Sequence, residues 1–166
     1  RMEDEVPSKE KVINKKCFNA VKSWQLGWYS DRHKTVRPRR MGQKYEVELV
    51  PVAQYSEIKP DDEEASVIVK IPNLNSSGDL FIFFNSKRGI NAGTNQFLNM
   101  VGIYRGGFNS TSYALAGLNV GESYTVENFN NDGTVLTITC SSLFINYFLA
   151  LPLTDLAKIL VSVSIN

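Results

Sequence analysis

Apolar and polar positions alternate with a period of two over most of residues 44–140. Tyr45 to Leu49 sets aromatic and aliphatic residues against Glu46 and Glu48, which predicts a half-buried strand ended by Pro51. Val67, Val69 and Ile71 repeat the pattern, and Leu80 to Phe84 is almost wholly apolar, as a central strand with both faces covered would be. Asn73 to Gly78 joins these two as a hairpin loop, Gln96 to Arg105 and Tyr113 to Leu118 supply further strands, and Gly106-Gly107 and Asn119 to Glu122 punctuate. Ser123 to Phe129 and Thr134 to Thr139 flank Asn130-Asn131-Asp132-Gly133, a strong hairpin signal. Short strands with turns between them and no helical period predict a mainly β protein, an antiparallel β-sandwich over residues 44–142.

Before this region the period changes. At 100° per residue Cys17, Val21, Trp24 and Trp28 share one face while Lys22, Ser23 and Gln25 lie elsewhere, so a short amphipathic helix is expected over about 18–28. Asn14 or Asn19 can cap it, and Gly27 can end it in the left-handed conformation. Behind the sandwich, residues 143–166 form an apolar run broken by Asn146, Asp155, Lys158 and Pro152. Those interruptions weigh against a membrane span. A core strand followed by a short helix from Thr154 is the better fit, with a tail outside the folded unit as the other reading.

Composition adds one asymmetry. The 166 residues carry 18 Lys and Arg against 17 Asp and Glu, a near-neutral balance from which no partner class follows. Residues 1–64 nevertheless hold 13 of those 18 bases and 12 of those 17 acids, so a charged first third precedes a charge-poor β region. The basic segment Asp31 to Lys44 lacks interleaved aromatics and any nucleic-acid fold signature, and reads as a solvated linker. Asp61 to Glu64 reads as a solvated turn rather than a calcium loop, and Asn128 to Gly133 lacks the downstream bidentate glutamate of an EF-hand. Cys17 and Cys140 are the only cysteines. They are compatible with one long-range disulfide, with two buried thiols, or with Cys17 pairing elsewhere. Asn75-Ser76-Ser77 and Asn109-Ser110-Thr111 place candidate N-glycosylation sites, Asn75 and Asn109, in predicted loops.

Two blocks carry a resemblance. Cys17-Phe18-Asn19-Ala20-Val21-Lys22-Ser23-Trp24-Gln25-Leu26-Gly27-Trp28-Tyr29 resembles the segment closing the catalytic domain of gametolysin-type zinc metallopeptidases, a metzincin-like family that cleaves extracellular-matrix and cell-wall proteins. Phe84-Asn85-Ser86-Lys87-Arg88-Gly89-Ile90-Asn91-Ala92-Gly93-Thr94-Asn95-Gln96 resembles the Phe-Asn-(x)3-Gly-Ile-Asn-x-Gly-Thr signature in the β region behind that domain. The likeness spans about residues 14 to 140. It implies that residues 1–43 are the tail end of a peptidase-like domain, with a Met-turn near the start, where Met2 is the only methionine before position 41. It implies an upstream catalytic segment or a protein or glycoprotein substrate as partner, an extracellular or cell-surface location, and zinc in the complete enzymes.

The residues present do not supply that zinc site. Zinc proteolysis of this type needs two histidines one helical turn apart, a glutamate between them and a third ligand. This chain has one histidine, His33, in the basic segment. Ser30, Asp31 and His33 are too close in sequence to form a Ser-His-Asp arrangement. The expectation is therefore a non-catalytic fragment with no cofactor of its own. The alternative is a β-sandwich module that binds glycan or matrix protein, with Tyr104, Phe108 and Tyr113 as candidate stacking residues.

Overall fold

A computed structural model describes residues 18–73, 78–107, 110–145 and 157–166. Among the described residues one α-helix, α1 (Ala20–Gln25), precedes ten strands: β1 (His33–Thr35), β2 (Lys44–Leu49), β3 (Ala65–Ser66), β4 (Ile68–Ile71), β5 (Asp79–Asn85), β6 (Met100–Gly106), β7 (Tyr113–Leu118), β8 (Ser123–Val126), β9 (Leu136–Ile145) and β10 (Ala157–Ile165). They form two five-stranded sheets, ordered β1-β4-β5-β6-β7 and β3-β2-β10-β9-β8. The protein is thus mainly β, and the sandwich expected from the alternation is present. It is not purely antiparallel: the edge strands β1 and β3 run parallel to β4 and β2.

The strands obey the pleat. Val47 and Leu49 of β2, Leu80, Ile82 and Phe84 of β5, and Ile159, Val161, Val163 and Ile165 of β10 all enter one core between the sheets. The polar neighbours Glu46 and Glu48 point the other way. The predicted hairpin is β8–β9, in register from Ser123 opposite Thr139 to Val126 opposite Leu136. Side chains close its turn: Gly133 N–H donates to Asn128 Oδ1 and Thr134 N–H to Asp132 Oδ1, so these oxygens serve the turn.

The first sheet is covered on its outer face as well, which explains the unbroken apolar run of β5. Phe81 and Phe83 point away from the sandwich and meet Ala20 and Val21 of α1, together with Val52, Val67, Ile68 and Tyr104. Burying an aromatic side chain in this way stabilises by roughly 1.5–3 kcal/mol. The covering helix is shorter than the 18–28 expected. Asn19 caps it, accepting from Lys22 N–H at 3.1 Å. Gly27, at φ 70°, ends it in a Schellman turn, with Gly27 N–H donating to Trp24 O and Trp28 N–H to Ser23 O. That turn redirects the chain, so Trp28 leaves the face it would share with Trp24 and is 44% exposed.

The boundary expected at residue 43 does not separate two units, because β1 lies before it and pairs with β4 in the first sheet. The basic segment is correspondingly less solvated than a linker. Arg32, 12% exposed at its side chain, donates to the carbonyl oxygens of Asp62 and Lys59. The expected tail is corrected more strongly. In place of a helix from Thr154, residues 157–165 form β10, the middle strand of the second sheet, paired with β2 on one side and β9 on the other. The alternation Val161-Ser162-Val163-Ser164-Ile165 is what fits it there. Lys158 at its start reaches Glu48 at 2.9 Å and Asp62 at 2.7 Å, so one acid of the 61–64 turn is committed to an ion pair. Among the described residues no helix is long and apolar enough to cross a membrane.

Candidate functional site

An open cleft of about 670 Å³ lies on the outer face of the first sheet, between the start of α1 and the loop joining β5 to β6. Its floor is Phe83 and Tyr104, Phe18 and Asn19 form one wall, and Asn85, Asn91 and residues 94–97 form the other. Among the described residues that line it, none carries a charge.

Three features build it. First, α1 sits close on β6. A Cβ at Gly106 would fall 2.4 Å from Val21 Cγ1, so a side chain there would push the helix away. Polar side chains fix the helix against the stretch leading into β7: Asn19 Nδ2 donates to Ser112 Oγ at 2.8 Å, Lys22 Nζ to Ser110 O at 3.0 Å, and Gln25 Nε2 to Gly107 O.

Second, the loop is pinned by buried amides. Asn85, 4% exposed, donates to Gln96 O at 2.8 Å, and its Oδ1 accepts from Asn91 Nδ2 at 3.0 Å. Asn99 N–H donates to Asn85 O, and Asn99 Oδ1 accepts from Lys87 N–H at 2.8 Å. Third, Phe97 folds back over the sheet at φ 52°, a left-handed conformation costly for a bulky residue. Glycines receive it, since a Cβ at Gly117 would lie 2.5 Å from the Phe97 ring and one at Gly102 3.2 Å away. The ring also meets Tyr104 edge-on at 5.7 Å.

Tyr104 is 2% exposed, and desolvation pushes its phenol up to about 12, so it is neutral at every physiological pH. The expectation that Tyr104 is an exposed stacking residue is thereby corrected: its ring is core, and it contributes to the cleft from the floor. Tyr113, by contrast, is 61% exposed on the edge strand β7, outside the cleft. Phe108 lies outside the described residues.

The two motif blocks meet here. Phe18 and Asn19 come from the first, and Asn85, Asn91, Thr94, Asn95 and Gln96 from the second. Trp24 serves the sandwich rather than an exposed face: it stacks on His33 at 4.0 Å and 7° and meets Phe81 edge-on at 5.7 Å. His33 Nε2 lies 2.9 Å from Trp28 O, and burial lowers the imidazole's pKa against smaller raising effects of that carbonyl and Asp31. Lys70 Nζ lies 5.8 Å above Trp24 and 2.6 Å from Asp79.

Among the described residues no three His, Cys, Asp or Glu side chains converge on a common point. With His33 stacked on an indole and directed at a carbonyl, the donor set does not fit a catalytic zinc. Cys140 is a buried free thiol in the sandwich core, with a pKa raised by desolvation and by Glu122. Its candidate partner Cys17 lies outside the described residues, as do Met2, Asn75 and Asn109. Comparison with models of known families, with curated proteins and with solved structures finds no match.

Proposed function

We propose that this chain is a non-catalytic part of a gametolysin-like extracellular zinc metalloendopeptidase acting on matrix or cell-wall proteins. It would comprise the helix that closes the catalytic domain and the β-sandwich behind it. The observation that carries this reading is the meeting of the two motif blocks, more than 50 residues apart in the chain, across one cleft. Residues remote in sequence that hold one local geometry are what a shared architectural origin leaves behind.

The same segment leaves Leu26 55% and Trp28 44% exposed. An upstream catalytic segment is the occupant this reading gives to that apolar surface. Zinc and the general base belong to that segment, and this chain has no cofactor of its own. The reading also places the protein outside the cell or at its surface, where Asn75 and Asn109 would be open to glycosylation.

Elemental analysis and a protease assay test it together. The isolated chain is expected to hold no stoichiometric zinc and to leave matrix and cell-wall protein uncut. Zinc at one equivalent with chelator-sensitive hydrolysis would refute the reading. Sequencing the transcript upstream of the Arg1 codon tests the origin separately: a His-Glu-x-x-His there supports it, and an unrelated reading frame opposes it.

A further inference from the structure

We infer that the cleft between α1 and the β5–β6 loop is a binding site for an uncharged saccharide, one to a few sugar rings in size. The inference is independent of any peptidase ancestry. A volume of about 670 Å³ is of the size that holds a small ligand. The lining then selects the chemistry. Its described residues include no acid and no base, so none of them offers a counter-charge to a sulfated, phosphorylated or carboxylate ligand.

What it does contain is amide and aromatic surface. Asn85 and Asn19 spend their side chains on the protein, which makes them scaffold. Asn95 and Gln96 are exposed at the wall, and each primary amide offers two N–H donors and an acceptor oxygen, a match for neighbouring sugar hydroxyls that donate and accept in turn. Thr94 adds a hydroxyl beside them. At the floor the buried ring of Tyr104 adds aromatic surface beside Phe83. At the mouth, Phe18 is 51% exposed and presents a ring on which the apolar face of a sugar can rest.

A polypeptide strand is the competing occupant. The cleft opens on the face of the first sheet, over β5 and β6, and both are paired on each side. No free strand edge is therefore present at the floor to pair with an extended peptide. This favours a ligand recognised by hydroxyl and ring.

The full chain would be titrated calorimetrically and by saturation-transfer NMR. The panel would hold short neutral oligosaccharides of glucose, galactose, mannose, xylose and arabinose, with sulfated and uronic-acid oligosaccharides of matched length and an unstructured polar peptide beside them. Saturable binding to at least one neutral class is expected, changing less than about twofold between roughly 0.05 and 0.5 M salt because no charge is engaged. Asn95→Ala and Gln96→Ala, both at exposed positions, are each expected to weaken it about 3- to 10-fold with an unchanged urea midpoint. Binding to no neutral sugar, binding only to the acidic sugars or the peptide, or unaltered affinity in both variants would overturn the inference.

Discussion

Replacing Gly106 with alanine tests whether α1 is seated on β6 as described. Gly106 does not have positive φ, so alanine meets no backbone objection and would on its own stabilise by about 0.4–1 kcal/mol through the unfolded chain. The native contact opposes this. The new methyl would lie 2.4 Å from Val21 Cγ1 and 3.2 Å from Cγ2. Carbon atoms rest at about 3.5–4.0 Å, so roughly 1 Å must be found. Val21 is fully buried, and a β-branched side chain in a helix has essentially one χ1 rotamer, so it cannot swing aside. The helix is also tied by Asn19 to Ser112 and by Gln25 to Gly107, which resists its lifting. Overpacking of this kind costs about 1–3 kcal/mol, and the 2.4 Å approach to a side chain that cannot move puts it in the upper half of that range, leaving a net loss of roughly 1–2.5 kcal/mol. Urea unfolding followed by tryptophan fluorescence measures it, with an unchanged m-value as the condition for reading the midpoint as stability. Gly107→Ala is the control: its methyl would meet Ser110 Oγ at 3.4 Å, so a change within about 0.5 kcal/mol is expected. Val21→Ala should absorb the clash, so the Val21→Ala/Gly106→Ala pair should cost at least about 1 kcal/mol less than the two single losses added. Equal stability of the Gly106 and Gly107 variants, or strict additivity in the pair, would refute this seating of the helix and with it the wall of the cleft.

Asn85→Ala removes the amide that serves both Gln96 O and Asn91 Nδ2; a loss of about 2 kcal/mol and faster amide exchange across residues 86–99 are expected, and unchanged exchange there would contradict the clamp. His33 has its pKa lowered chiefly by burial, so the unfolded chain takes up the proton more readily. Its contribution to stability is full above the unfolded value of about 6.5 and is lost as pH falls through that value toward the folded one; a His33→Gln variant should flatten this part of a stability-against-pH curve. Lys158 is 14% exposed between Glu48 and Asp62, and Lys158→Ala leaves two carboxylates facing each other without their cation. Since Glu48 is 36% exposed, water moderates the loss to about 1–2 kcal/mol, read from the urea midpoint near neutral pH. Burial pulls the Lys158 pKa down, but the two acids outweigh it and the net shift is upward, so this contribution is full below about 10.5 and fades as pH rises through the folded value.

Strands whose alternation is local were legible in the sequence. β2, β5 and the β8–β9 hairpin announce themselves through neighbouring residues alone, as do the Asn19 cap and the Gly27 stop. β10 was hidden because its alternating residues follow an apolar run and its partner Lys44–Leu49 lies more than 100 residues earlier in the chain. Trp28 was misplaced because a helical wheel continues through Gly27, whereas the backbone there turns out of the helix. The cleft was the least legible part. It depends on Phe97 adopting a backbone conformation that no local preference favours, made possible by Gly102 and Gly117 on neighbouring strands. A signal did exist: Gly102 and Gly106 sit four residues apart on the same face of β6, and small residues repeating along a strand mark where something lies close against it. Tyr104 between them was read as a possible exposed ring because a tyrosine in a strand is equally at home on either face.

The place of β10 bears on biosynthesis. Both of its neighbours, β2 and β9, leave the ribosome before it does, so the nascent second sheet carries two open hydrogen-bonding edges around a missing centre. Until residues 157–165 emerge and slot between them, those edges can recruit strands from other molecules. Truncation within this stretch should therefore yield inclusion bodies rather than a smaller folded protein.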